Sequence, residues 1–218
     1  MCGIVGYAGK NEARLVLLEG LKRLEYRGYD SAGIAILGDG IIVKKAVGKI
    51  RELESKIDGV NLSGNLGIAH TRWATHGQPS EANAHPHSDC TGKIWVVHNG
   101  IIENYQTLKK WLEERGHVFK SETDTEVVPH LLEEFYEGSI TKALQRVVKM
   151  LQGAYGLAVL HQDEPQKLIA VRYGSPLVIG LGDGETIVAS DVSAIIRYTK
   201  QVIYLNDGEI AEINSSGL

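Results

Sequence analysis

Short runs of Val, Ile, Leu and Ala set off by glycine recur along this chain. That punctuation constrains its architecture more than any other feature. Glycine occurs 25 times in 218 residues, often between apolar runs of strand length, the pattern of many strands joined by tight turns. The spacing predicts strands near 3–8, 32–37, 41–47, 66–70, 94–98, 154–160, 167–172, 176–181, 186–189, 201–205 and 209–213. Several lack strict apolar–polar alternation, as expected of strands buried on both faces. Helical periodicity appears at 12–25, where Leu17, Leu21 and Leu24 share a face, and again at 104–115, 125–137, 140–151 and 191–197. Thr123 and Glu126 stand at capping-box spacing before the third of these, and Pro129 falls near its first turn. Helices come in pairs between groups of strands, so sheets stacked against helical layers are expected in place of a doubly wound fold.

The length and the 43% hydrophobic content suit one large domain over residues 2–218. A formal net charge of -4, with Lys and Arg spread along the chain, argues against a nucleic-acid partner. No apolar stretch approaches the roughly 20 residues needed to cross a bilayer. The N-terminus lacks a basic segment followed by a long apolar one, so no signal peptide is read and a cytoplasmic location is expected. Of the two cysteines, Cys90 sits in the polar stretch His87-Ser88-Asp89-Cys90-Thr91 with no evident partner. It reads as an ordinary free cysteine.

Cys2 differs by position. A small second residue lets the initiator Met1 be trimmed, which leaves a free α-amine beside the thiol. Reference pKa values are about 8.5 for a thiol and about 7.7–8.0 for an α-amine. Near neutral pH the amine can therefore take the thiol proton, and the nucleophile carries its own base. The competing reading is a cysteine at the start of a buried first strand.

Six segments follow in fixed order: Cys2-Gly3-Ile4, Leu24 through Gly33 (LEYRGYDSAG), His70 through Gly77 (HTRWATHG), Asn83-Ala84-His85-Pro86-His87, Val97 through Asn104 (VHNGIIEN) and Ser121 through Glu126 (SETDTE). Together they closely resemble the glutaminase domain of the glucosamine-6-phosphate synthase family, within the class II glutamine amidotransferases. The pairing of Arg27 through Gly33 with His70 through Gly77 sets this family apart from its amidophosphoribosyltransferase and asparagine synthetase relatives. The resemblance implies an α+β fold of the N-terminal nucleophile hydrolase type, a four-layer αββα sandwich with two stacked antiparallel sheets.

By the same resemblance Cys2 is the nucleophile, and Asn99 and Gly100 supply the oxyanion hole. Arg72 binds the α-carboxylate of L-glutamine with Trp73, Thr75 and His76 beside it, and Asp124 holds the α-ammonium. Trp73 through Ser80 resembles a loop that closes over the substrate, and Arg27 places positive charge near the nucleophile. Plainer readings stand beside these: a tight turn for Asn99-Gly100, a surface ion pair for Arg72, and a helix-start carboxylate for Asp124. The implied partner is a C-terminal synthase region carrying a fructose 6-phosphate site, absent from these 218 residues, in a full-length homo-oligomeric enzyme. The chain is therefore expected to be an excised domain, with glutaminase activity standing alone. A glutamine-sensing module without turnover is one alternative from another class, and a His-rich metallohydrolase is a lesser one. No cofactor is implied. His70, His76, His85 and His87, with Asp89 and Cys90, match none of the usual metal spacings, so no metal site is expected.

Overall fold

In the computed structural model, which describes residues 2–74 and 77–214, strand β1 (Gly3–Gly9) is buried along its whole length. Successive side chains of a strand point to opposite faces. Val5 and Tyr7 enter one apolar cluster while Ile4 and Ala8 enter another. The same division runs through β2 (Ser31–Leu37), where Ile34 and Ile36 face one way and Ala35 and Leu37 the other. Two apolar faces on one strand explain the weak alternation in the sequence.

The first cluster lies against helices α1 (Ala13–Leu24) and α2 (Ile50–Ile57), through Leu17, Leu21, Leu24, Ile50 and Leu53. The second lies between two sheets. The larger sheet has the order β11-β9-β10-β1-β4-β2-β3, with β3 (Ile41–Val47), β4 (Leu66–Arg72), β9 (Val178–Gly182), β10 (Glu185–Ala189) and β11 (Val202–Tyr204). The smaller has the order β12-β8-β7-β6-β5, from β5 (His87–Ser88), β6 (Ile94–Ile102), β7 (Gly153–His161), β8 (Leu168–Tyr173) and β12 (Ile210–Ile213). Pairing within both sheets is antiparallel.

Strands of the smaller sheet divide in the same way. Ala158, Leu160, Leu168 and Ala170 meet the larger sheet, while Leu157, Val159, Ile169 and Val171 face a third cluster. That cluster is completed by α3 (Tyr105–Glu113), α4 (Val127–Phe135) and α5 (Ile140–Val147), through Leu112, Leu131 and Leu144. The result is the expected four-layer αββα sandwich. Each fully buried Leu or Ile contributes roughly 1.5–3 kcal/mol by removal of apolar area from water. Among the described residues, no helix is long and apolar enough to cross a membrane.

Three expectations need correction. Helix α2 was not expected, because its eight residues carry only Ile50, Leu53 and Ile57 as an apolar stripe among charged neighbours. The helix expected at 191–197 is a 3-10 turn, Val192–Ala194, capped by Asp191 accepting from Ser193 N–H at 2.8 Å. The capping box at Thr123 does not form. The Glu126 carboxylate accepts from the Lys120 and Ser121 N–H groups, each at 2.7 Å, and Thr123 Oγ1 faces His87 Nε2 at 3.2 Å.

Candidate active site

Cys2 enters the larger sheet at its centre, immediately before β1, which is flanked by β10 and β4. Gly3 pairs with Thr71, so the residue after the end of β4 reaches the thiol. Trp73 N–H donates to Cys2 Sγ at 3.2 Å, and the sulfur lies 3.5 Å from the Trp73 carbonyl. The Cys2 carbonyl accepts twice, from Arg27 Nε at 3.2 Å and from Asn99 Nδ2 at 3.1 Å. Burial pushes the thiol above its ordinary value, while the Trp73 N–H and the Arg72 charge favour the thiolate.

The segment Arg27 through Gly33 braces this end of β4. Gly28 is required by close approach, since a Cβ there would lie 2.7 Å from the Arg72 carbonyl carbon. Asp30 N–H donates to the Arg72 carbonyl at 3.0 Å, and the Asp30 carboxylate accepts from Ala74 N–H at 2.8 Å. Thr71 Oγ1 donates to the Gly28 carbonyl. Arg27 is itself buried and pairs with Asp191 at 3.2 Å. The Cys2 carbonyl is thus fixed by a charged donor that is itself anchored.

Asn99 and Gly100 do not form a turn. Both lie inside β6, opposite Gly156 and Tyr155 of β7. Gly100 has φ +125, and a Cβ there would fall 1.9 Å from the Ala154 carbonyl oxygen, so glycine is the residue that fits. Asn99 is oriented from behind. His70 Nε2 lies 2.9 Å from the His98 carbonyl and 3.1 Å from Asn99 Oδ1. A carbonyl only accepts, so Nε2 carries the hydrogen, which fixes Oδ1 toward His70 and Nδ2 toward Cys2. Burial keeps His70 neutral, with its pKa lowered to about 3.

Arg72 is 3% exposed, which removes the surface ion-pair reading, and it donates to the Gly77 carbonyl at 3.2 Å. Asp124 opens the 3-10 turn Asp124–Glu126, where its carboxylate accepts from Ile102 N–H of β6 at 2.7 Å. Cys2, Arg72, Gly100, Thr123 and Asp124 line one recess of about 20 Å³, with Trp73 across it. Cys2, Trp73 and Gly100 also wall a larger cavity of about 300 Å³ on the side of Arg27 and Ser175. Trp73 is 46% exposed and meets Tyr29 edge-on at 5.6 Å. Thr75 and His76, expected at this site, lie outside the described residues, as does Met1.

Sequence reasoning under-weighted Arg27 and missed Asp30, His70 and Asp191. The positions were present in its motifs, but their bonds to backbone carry no spacing signature. Two further buried histidines serve one hydroxyl: His85 Nε2 lies 3.0 Å and His98 Nδ1 2.8 Å from Thr125 Oγ1. Cys90 stands apart from them and is not partnerless, for it rests against His117 and His130.

Residues 70–197 match the family described as a glutamine amidotransferase domain. The chain is 53% identical over 219 residues to the glutamine–fructose-6-phosphate aminotransferase (isomerizing) of Symbiobacterium thermophilum, covering 100% of this chain and 36% of the relative. It is 56% identical over 212 residues to the enzyme of the same name from Pyrococcus horikoshii, covering 96% and 36%. The chain spans about a third of the length of these curated relatives. Among solved structures, the glutamine phosphoribosylpyrophosphate amidotransferase of B. subtilis, complexed with ADP and GMP, superposes with a TM-score of 0.86 at 28% identity. That match covers 99% of this chain and 48% of the other.

Proposed function

The chain belongs to the family of glutamine amidotransferase domains, and on that premise we propose that it hydrolyses the side-chain amide of L-glutamine with Cys2 as nucleophile. With Met1 removed, the Cys2 α-amine takes the thiol proton and Sγ attacks the amide carbon. The carbon–nitrogen bond breaks as the same amine returns a proton to the leaving ammonia. Water then attacks the γ-glutamyl thioester, giving glutamate and the free thiol.

The observation that carries this reading is the position of the Cys2 sulfur. It accepts from the Trp73 N–H, on a residue whose carbonyl takes the Asn99 amide and which lines the recess of Arg72 and Asp124. Asn99 Nδ2 has a second hydrogen beyond the one given to the Cys2 carbonyl. With the Gly100 N–H, it serves as the oxyanion donor, a role worth roughly 2.7–4 kcal/mol per donor. Arg72 takes the α-carboxylate as a planar fork, Asp124 takes the α-ammonium, and Trp73, Thr75 and His76 close around them. A recess of about 20 Å³ holds little more than one water, so glutamine enters only when the walls of the recess move apart.

In the longer protein the released ammonia passes to a C-terminal synthase region, converting fructose 6-phosphate to glucosamine 6-phosphate in a homo-oligomeric cytoplasmic enzyme. The relatives' names and their threefold greater length support this extension. The test is glutamate release from L-glutamine by the purified chain, with its intact mass measured on the same sample. Release from Met-free protein and its loss in Cys2→Ala are expected. Folded, Met-free protein that binds glutamine without releasing glutamate would instead be a sensing module.

A further inference from the structure

On the far side of the smaller sheet, four side chains that the glutaminase reading does not use converge on one point. Cys90 lies in the turn between β5 and β6, His117 follows α3, and His130 and Glu133 sit one turn apart on α4. Their ligand atoms all fall within 4.8 Å of one another. We propose that Cys90, His117, His130 and Glu133 form a structural zinc site that ties the β5–β6 turn to α4.

Five of the six separations are close to those of a tetrahedron's edges, and the sixth, between Cys90 Sγ and Glu133, is within 4.8 Å. Zn–S of about 2.3 Å and Zn–N or Zn–O of about 2.0–2.2 Å require edges of roughly 3.3–3.6 Å. Cys90 Sγ lies 3.5 Å from His130 Nδ1 and 3.7 Å from His117 Nδ1. The two Nδ1 atoms are 3.2 Å apart, and Glu133 Oε2 is 3.1 Å from one and 3.5 Å from the other.

The outer nitrogens of both rings face carboxylates. His117 Nε2 is hydrogen-bonded to Glu134 at 3.3 Å, while buried His130 Nε2 lies 3.6 Å from Glu126 without a hydrogen bond. Both Nδ1 atoms, the Cys90 sulfur and a Glu133 oxygen therefore face one another across a single point. A dication there would be met by a donor atom from each of the four side chains. Carboxylates behind the outer ring nitrogens are also the usual support of metal-bound imidazoles.

Val118 N–H, at 3.5 Å from Cys90 Sγ, is placed to donate to a thiolate. The His117 side chain is 7% exposed and that of His130 is 1% exposed, so these two rings are held in place by packing, while Cys90 on the turn is exposed. Four protein ligands leave no open position, which makes the site structural and not catalytic. A thiolate with two imidazoles selects zinc over calcium or magnesium. Its place on α4, directly after the turn bearing Asp124, gives it a part in fixing that turn.

The test is elemental analysis of tag-free protein produced with zinc in the medium and passed through gel filtration. One equivalent of zinc is expected in the parent chain and in Cys2→Ala, with loss in Cys90→Ser and in His117→Ala. Cobalt(II) in place of zinc should give intense tetrahedral visible bands and a thiolate charge-transfer band that Cys90→Ser lacks. Added chelator should lower the melting midpoint of the parent and leave that of Cys90→Ser unchanged. Folded parent protein that takes up no zinc when zinc is supplied would overturn the proposal. So would zinc that survives in Cys90→Ser but is lost in Cys2→Ala. Because Cys2→Ala abolishes turnover while keeping this zinc, the failure of either reading is separable from the other.

Discussion

The Asn99 side-chain amide donates to the Cys2 carbonyl at 3.1 Å while its own oxygen is held 3.1 Å from His70 Nε2. The proposed nucleophile and the proposed oxyanion donor are therefore locked to each other before substrate arrives. Asn99→Asp keeps an acceptor for His70 and the shape of the side chain, yet removes both amide hydrogens. We expect kcat for glutamine hydrolysis to fall by about 10²–10³ with little change in KM, read by steady-state glutamate release. A kcat within about threefold of the parent would take Asn99 out of the oxyanion role.

Gly100 tests the strand geometry itself. A Cβ would sit 1.9 Å from the Ala154 oxygen, on backbone at φ +125. Gly100 and Ala154 are exposed, but both strands are buried along most of their length, so neither can withdraw cheaply. Gly100→Ala should cost more than about 4 kcal/mol, a fall in melting temperature of roughly 8–16 °C or more for a chain of this length. A variant that melts within a few degrees of the parent would show that β6 and β7 have room to separate.

Much of the sandwich is legible in the sequence because both faces of β1, β2, β7 and β8 are apolar, which leaves dense Val-Ile-Leu-Ala runs between glycines. Helix α2 is not, since three apolar residues in eight give too little periodicity to separate a short helix from a charged loop. Asn99-Gly100 shows the limit of a local rule. The pair is a strong hairpin signal, but tertiary pairing with Gly156 and Tyr155 places it inside a nine-residue strand. Cys90 shows another limit: its neighbours come from residues 27 and 40 positions away, so no local spacing announces them. Arg27 and Asn99, which brace Cys2 through its carbonyl, are legible only through the family resemblance, because bonds to backbone carry no spacing signature.

Arg72 and Asp124 line the same recess as Cys2 but are fixed by different backbone partners, the Gly77 carbonyl and the Ile102 N–H. Asp124→Asn retains an acceptor for Ile102 and should leave the melting temperature close to the parent value. Losing the charge that meets the α-ammonium should raise KM for glutamine about 10-fold to 100-fold, equivalent to roughly 1.5–3 kcal/mol. Arg72→Lys keeps the charge but loses the two-pronged fork and should raise KM by a similar factor. Kinetics that lower kcat alone in both variants would place these residues on the reacting centre instead of the amino-acid head group.

Four buried imidazoles make acid stability a further test. Burial lowers His70 to about 3, lowers His85 and His87 well below the ordinary value, and lowers His98 in the same direction. An unfolded histidine titrates near 6.5. Above that pH both folded and unfolded chains hold these rings neutral, and their stabilisation is fully present. As pH falls below about 6.5 the unfolded chain takes up protons that the folded chain refuses, so stability is lost toward the folded pKa values. Each ring contributes up to about 1.4 kcal/mol per pH unit. His161, also buried and lowered by that burial, adds in the same direction. Urea unfolding between about pH 5 and 6.5, above the range where unfolded carboxylates titrate, should therefore show stability falling steeply with acid. His87→Gln, which keeps a polar partner for Thr123 Oγ1, should flatten that slope by about one proton. A parent chain with pH-independent stability across this window would mean that these rings ionise in the folded state as freely as in water.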